Sequence, residues 1–180
     1  MNGIIKKNGV TFGVILGIIG IFSNLTVYLL GGISKNDLLV SSLIQILFWL
    51  AYLITRIIQC YNTKKQMNGF VSFKELFTTL TITILIGILV SQLFTFVLNN
   101  YVDVEYGKMM NEFMNEKQIE AKMAMKSFTS VTNQDIEEIK KTDNFSLKNI
   151  IQGTLAAFLI SSTMNLILAA IFKSKSSEGL

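Results

Sequence analysis

The sequence contains no histidine, no proline and a single cysteine, Cys60. Histidine is the commonest metal ligand and the side chain that titrates near neutral pH, so its absence argues against most metal centres and acid–base catalysts. One cysteine excludes an intramolecular disulfide. Without proline, the kinked helices of many transporters lose their strongest sequence signal. There is also no glycine-rich phosphate loop. We therefore expect a protein that is not an enzyme and that binds no cofactor or metal.

Charged residues are also scarce. They make up 16% of the 180 residues, whereas 51% are hydrophobic, and a soluble domain typically has about 25% charged residues. The apolar residues are concentrated in four stretches, at about 10–31, 37–60, 76–98 and 150–172. About 20 apolar residues cross a lipid bilayer as a helix. The pattern predicts an all-α integral membrane protein with four transmembrane helices, which forms one domain over residues 1–180.

The basic residues near these spans predict the orientation. The amino-terminal segment, the second connection and the tail lie on one side of a four-span protein, and they carry Lys6, Lys7, Lys64, Lys65, Lys74, Lys173 and Lys175. The positive-inside rule then predicts that both termini are cytoplasmic. It also accounts for the positive net charge without a nucleic-acid partner. Arg56, near the end of the second span, is expected to snorkel towards the cytoplasmic side.

The third connection, about 99–149, is predicted to be a helical extracytoplasmic excursion. Good helix formers between Val102 and about Phe128 indicate an outer helix, and the sequence leaves open whether span three continues into it as one long helix. A second, short helix is expected from Thr132 or Asn133 to Lys141, because Thr132 and Asp135 match a helix cap with an acid in the first turn.

Two stripes of small residues recur at intervals of four and are candidates for helix packing. The first span carries Gly9, Gly13 and Gly17, and the last carries Gly153, Ala157, Ser161, Asn165 and Ala169. Residues four apart share a helix face, where small side chains let backbones approach closely in lipid. The two stripes are expected to pack against each other or to form a contact between copies of the chain.

Polar residues within the spans allow two interpretations. Gln45, Gln92 and Asn165 are expected to face other helices and to form hydrogen bonds there. The alternative is that they line one wall of a pore in a small oligomeric channel or transporter. No Asp, Glu, Lys or Arg is expected at mid-membrane, which argues against ion-coupled transport.

The turn before span three carries the sharpest local motif. Ser72 and Glu75 have the spacing of a capping box, and Gly69 permits a positive φ angle. This motif is expected to set the start of the helix without binding a ligand.

Glu112, Glu116 and Glu120 form an acidic stripe in the third connection. Such a stripe is usually a solvated helix face, and the alternative is a cation-sensing site.

The layout as a whole resembles a bacterial membrane family, found mainly in Bacteroidetes and catalogued as domain of unknown function 4199. The resemblance covers about residues 5–174, and its most specific element is the turn from Asn68 to Glu75, Asn-Gly-Phe-Val-Ser-Phe-Lys-Glu. Family members often have a glycine where Lys74 stands, and a proline in the last span, which this chain lacks. The resemblance implies a four-helix protein of the bacterial inner membrane, with no catalytic residues to carry over.

These features together predict a non-enzymatic membrane protein that acts through helix–helix or protein–protein contacts, as an accessory subunit. Its partners would be the lipid bilayer and either a second copy of the chain or another membrane protein. The channel and the extracytoplasmic cation sensor remain as alternatives.

Overall fold

The computed structural model describes residues 2–31, 38–125 and 130–174, all of them helical or in short connections. Its six α-helices are α1 (Gly3–Leu29), α2 (Leu38–Gln66), α3 (Phe73–Val97), α4 (Val104–Ala124), α5 (Asn133–Lys140) and α6 (Leu147–Phe172). Four helices, α1, α2, α3 and α6, are long and apolar enough to span a membrane. The predicted all-α, four-span architecture is confirmed. Two helices extend well beyond their apolar stretches: α1 begins at Gly3 and α2 continues to Gln66.

The bundle is organised around α3, which lies parallel to α1. The α1 glycines face α3 at successive turns: a Cβ added to Gly9, Gly13 or Gly17 would lie within 2.7–2.8 Å of a side-chain carbon of Ile82, Ile86 or Val90. In return, a Cβ added to Gly87 of α3 would lie 3.0 Å from the Cβ of Leu16. Because glycine has no side chain, the two backbones approach closely. The stripe on α1 therefore packs against α3, whereas one expectation was that it packs against the stripe on α6.

Helices α2 and α6 run antiparallel to this pair. The buried side chains described for α2 all lie in its second half, at Arg56, Gln59, Cys60 and Thr63. The described side chains in the first half of α2 are half-buried or exposed. We refer below to the α4 end of the bundle and to the opposite loop end, which carries the α2–α3 turn.

The α2–α3 turn has the capping geometry that its sequence predicts. Ser72 Oγ accepts the backbone N–H of Glu75 at 3.3 Å, and the Glu75 carboxylate accepts the backbone N–H of Ser72 at 2.9 Å. Val71 and Leu76, on either side of the cap, are both buried in one apolar cluster, which is the arrangement of a hydrophobic staple. Gly69 has a φ of +85°. The turn therefore fixes the direction in which α3 enters the bundle.

Span three and the outer helix are separate helices in the described residues. A π-helical turn, Leu98–Val102, follows α3, and Asp103 then leaves the helical conformation with φ −140° and ψ 85°. The Asp103 side chain accepts the Tyr106 backbone N–H at 2.9 Å and so caps a new helix, α4. A Cβ on Gly107 would overlap the carbonyl of Asn99. The helix is interrupted here because the Asp103 cap competes with the backbone hydrogen bonds of a continuous helix. Gly107, which has no side chain, lets α4 pack closely against the π-helical turn.

The predicted short helix is confirmed as α5, with a capping box between Thr132 and Asp135. A set of asparagines joins α4 to the chain that enters α6. Asn144 donates its backbone N–H to Asn111 Oδ1 at 2.8 Å and its Nδ2 to Asn115 Oδ1 at 2.6 Å. These bonds hold α4 beside the start of α6.

Candidate functional site within the spanning helices

The feature with the clearest chemical consequence is the position of Arg56. Its side chain is only 8% exposed. One guanidinium nitrogen, Nη2, donates to the Asn165 side chain and to the Ser161 carbonyl at 3.2 Å, both on α6. Nε has no partner among the described residues, nor has Nδ2 of the fully buried Asn165. Arg56 therefore joins α2 to α6 with part of its hydrogen-bonding capacity unused.

Arg56 lies nearer to the midpoint of its helix than to the midpoint of the apolar stretch 37–60. It is four residues, or about 6 Å, from Tyr52 at the midpoint of α2. Because α2 extends past Cys60, the end of the helix is farther from Arg56 than the apolar stretch implied. The bond to Ser161 holds the guanidinium on the central part of α6. The guanidinium is therefore held against α6, whereas its expected direction was along α2 towards the loop end.

A second layer of buried polar groups lies beside Arg56 towards the loop end. Gln59 Nε2 donates to Thr83 Oγ1 at 2.5 Å, and Thr83 Oγ1 donates to the Gly9 carbonyl at 3.1 Å. Asn8 Nδ2 donates to Thr63 Oγ1 at 3.1 Å. These bonds connect α1, α2 and α3, and all the side chains involved are buried. They fix the half of α2 that carries Arg56.

No carboxylate neutralises Arg56 within the described residues. The ion pairs in these ranges, Lys117–Glu120 and Lys122–Asp135, both lie outside the spans. Arg56 instead lines a cavity of about 130 Å³ between α2 and α6. The other lining residues are Trp49, Tyr52, Leu53, Ile160, Ser161 and Met164. Trp49 and Ile160 are exposed on the outside of the bundle, so the cavity lies next to the lipid-facing surface. A guanidinium here is placed to receive an anionic group from outside the chain.

The remaining candidates of the α6 stripe occupy different surroundings. Gly153 meets no atom within 4 Å of its added Cβ, and Ala157 is half-buried. Asn165 bonds to Arg56, whereas Ala169 is fully buried in the apolar cluster with Cys60. The stripe therefore does not form one continuous packing face.

The three residues proposed as a pore wall also separate. Gln45 and Gln92 line a larger cavity at the α4 end, whereas Asn165 lies beside Arg56. The described residues do not place all three on one path.

The acidic stripe Glu112–Glu116–Glu120 is on α4, outside the spans. Glu120 pairs with Lys117 at 2.5 Å. Within the described ranges, no three His, Cys, Asp or Glu residues come together as a metal site.

Sequence reasoning missed Arg56 as a site residue, although a signal was present. Arg56, Gln59 and Thr63 have the spacing i, i+3, i+7, which places them on one face of a helix. That spacing marks a polar face within α2, provided that the helix is known to continue beyond Cys60.

Comparison with known proteins gives a family match. A family model described as "Protein of unknown function (DUF4199)" matches residues 11–174. No curated protein and no solved structure matches the chain.

Proposed function

Because the chain belongs to the DUF4199 family, a family of proteins of unknown function, we propose a role from its own chemistry: it is a non-enzymatic accessory subunit that binds another membrane protein through its spanning helices. The contact is centred on Arg56. The partner presents an Asp or Glu near the middle of a transmembrane helix, which packs between α2 and α6.

The uncompensated charge of Arg56 carries this proposal. An arginine near the centre of a spanning helix costs about 2.5–3.5 kcal/mol on insertion scales, and such residues usually pair or line a functional surface. Asn165 and the Ser161 carbonyl are neutral acceptors, so they stabilise the guanidinium but do not neutralise its positive charge. A carboxylate in the adjacent cavity would neutralise it and accept two parallel N–H bonds.

The chain itself is a poor source of that carboxylate. Helices α1, α2 and α6 contain no Asp or Glu, and the acid in α3, Glu75, lies in its first turn. A second copy therefore presents no acid at the depth of Arg56. A lipid phosphate lies outside the hydrocarbon core, about 15 Å from mid-membrane, and the side chain is held to Ser161 and not directed towards either surface. These two points favour a different membrane protein over a homo-oligomer or a lipid.

The absence of catalysis and the cellular location belong to the same proposal. The cavity beside Arg56 offers no nucleophile paired with a base. The lysines around the loop end favour a cytoplasmic location for both termini, with α4 and α5 extracytoplasmic. The resemblance of the layout to a bacterial family favours the inner membrane of a bacterium, with the whole chain as one domain.

Purification from native membranes under gentle conditions, followed by native mass spectrometry, tests this role. We expect a stoichiometric second membrane protein with an Asp or Glu near mid-span. Arg56→Gln should release it, and Arg56→Lys, which keeps the charge, should retain it in part. Lys65→Gln is the matched control, because it removes the same charge from the exposed end of α2.

The partner's own residue supplies the second arm of the test. Neutralising its mid-span acid should release the wild-type chain, whereas the two neutral variants together should associate better than either single exchange. The variants must insert and unfold like the wild type, so that loss of binding is not loss of fold. A bare monomer, a homo-oligomer, a retained anionic lipid only, or a protein partner insensitive to Arg56→Gln would overturn the proposal.

A further inference from the structure

A second, more spacious cavity lies at the α4 end of the bundle, away from Arg56. Its volume is about 410 Å³, within the range of small-molecule sites. Spanning helices α1, α2, α3 and α6 form its walls, and α4 contributes Tyr106, Met110 and Met114. The polar side chains contributed by α1, α2 and α3 are Asn24, Gln45, Ser91, Gln92 and Thr95. Among the described residues, none that lines the cavity is Asp, Glu, Lys or Arg. The described lining is therefore polar and uncharged.

Contacts with α1 hold α4 at this cavity. Tyr28 of α1 donates its hydroxyl to Asp103 at 3.1 Å and contacts the Tyr106 ring edge-to-face, with centroids 4.8 Å apart. Burial is the largest cause that raises the pKa of Tyr106, and the neighbouring Tyr28 and Asp103 raise it further. Tyr106 therefore stays neutral at physiological pH and adds no charge to the wall.

Several hydrogen-bonding groups in this cavity have no partner among the described residues. Asn99 is 6% exposed, and its Oδ1 accepts no hydrogen bond from the described residues, although its Nδ2 donates to Thr95. Gln45 and Gln92 also make no hydrogen bond within the described ranges; Gln92 is half-buried, whereas Gln45 is exposed at the edge of the cavity. A buried amide oxygen without a partner costs about 1–3 kcal/mol. These groups are arranged to bond to a molecule that enters the cavity.

An apolar groove of about 380 Å³ adjoins this cavity on the outer surface of α3 and α6. Leucines on α3 and aliphatic residues on α6 line it: Leu85, Leu89, Leu93, Ile151 and Leu155. Gln92 and Ile150 line both the cavity and the groove. From Leu85 to Phe96 the groove follows α3 for about 16 Å, which is close to the thickness of one bilayer leaflet. The polar cavity thus adjoins an apolar groove that is about as long as one acyl chain.

We propose that the cavity and the groove together form a binding site for a single membrane lipid whose headgroup carries no net charge. The headgroup bonds to Asn99, Gln92 and Gln45 in the cavity, and one acyl chain lies in the groove beside Leu89. The uncharged lining favours a zwitterionic or neutral headgroup over an anionic one. A water-soluble solute would leave the groove unused, and a helix, about 10–12 Å across with its side chains, is too wide for the cavity. This site is independent of the contact proposed at Arg56.

Titration of delipidated protein, followed by native mass spectrometry, tests the site. The probes are phosphatidylethanolamine and phosphatidylglycerol, which have similar chains but differ in net charge. We expect one retained phosphatidylethanolamine per chain and weaker retention of phosphatidylglycerol. Gln92→Leu should weaken phosphatidylethanolamine binding by about five- to tenfold, the equivalent of one buried hydrogen bond.

Two further variants separate binding from folding. Gly153 lines the cavity and has open space around its added Cβ. Gly153→Leu should therefore fill the cavity and displace the lipid without straining the helix. Gln152→Leu makes the same chemical change as Gln92→Leu at an exposed position on α6 and should bind as the wild type does. Equal retention of both lipids by all variants, binding of a chain-free polar solute alone, or no retained lipid would each refute the proposal.

Discussion

The close approach of α1 to α3 makes the stability of the bundle sensitive to a single methyl group. A Cβ on Gly13 would lie 2.8 Å from the Ile86 Cβ and 3.1 Å from the Thr83 carbonyl oxygen. Carbon atoms pack at about 3.5–4.0 Å, so Gly13→Ala must separate the two helices by about 0.7–1.2 Å. Neither atom is the end of a flexible side chain that could move aside alone.

The energetic cost follows from that separation. A gap of about 0.5–1 Å forfeits a quarter to a half of each affected dispersion contact, and overpacking typically costs about 1–3 kcal/mol. We expect Gly13→Ala to destabilise the bundle by about 1–2 kcal/mol. Alanine has a better helix propensity than glycine, by about 1 kcal/mol in water. This gain offsets little of the packing cost here, because the helices persist in the denatured state in detergent. Gly153→Ala is the matched control, because nothing lies within 4 Å of its added Cβ.

Unfolding of both variants by dodecyl sulfate in mixed micelles provides the measurement. Trp49, the single tryptophan, reports the unfolding by its fluorescence, and circular dichroism reports retained helix. Gly13→Ala should unfold at a lower dodecyl sulfate fraction, and Gly153→Ala within about 0.5 kcal/mol of the wild type. Coincident curves for the two variants would refute the tight α1–α3 contact.

Three further predictions concern the α4 end. Gly107→Ala should displace α4, because the new Cβ would overlap the Asn99 carbonyl; faster hydrogen exchange at the start of α4 would report this, and unchanged exchange would contradict it. Lys122 and the Thr132 cap lower the pKa of Asp135 below its usual range, so its contribution to stability is present above about pH 4, the unfolded value, and is lost as the pH falls towards the folded one. Exchange within α5 should therefore rise on acidification, and in Asp135→Asn it should be high at both pH values. A topology reporter fused after Lys126 should read extracytoplasmic, and a cytoplasmic reading would invert the proposed orientation.

Local sequence signals predicted much of the fold. Hydropathy located four spans because each is a continuous apolar run, and the Ser72–Glu75 spacing identified a cap that uses only neighbouring backbone groups. The glycine periodicity of α1 identified a packing face, but not the helix that covers it. Periodicity describes one helix, whereas the choice between α3 and α6 depends on the arrangement of the whole bundle.

The features that define the candidate site were harder to predict. The α2 helix extends past its apolar run, and in that extension the buried Thr63 accepts a hydrogen bond from Asn8, a residue far away in sequence. That extension places Arg56 nearer to the middle of its helix. The break at Asp103 depends on a similar choice, because an aspartate within a run of helix formers either continues the helix or caps a new one.

The pairing of α1 with α3 also constrains how the protein is made. Its first span packs most closely on its third, so about 70 residues must be synthesised after Leu29 before the full length of α3 exists. At about 5–20 residues per second, this delay lasts roughly 3–14 s. During that interval the glycine face of α1 lacks the helix that it packs against. Asn8 can bond to Thr63 only after α2 has been synthesised. Membrane insertion must therefore keep the first two helices nearby until the third arrives, and an insertase or chaperone that shelters small-residue faces would act at this step.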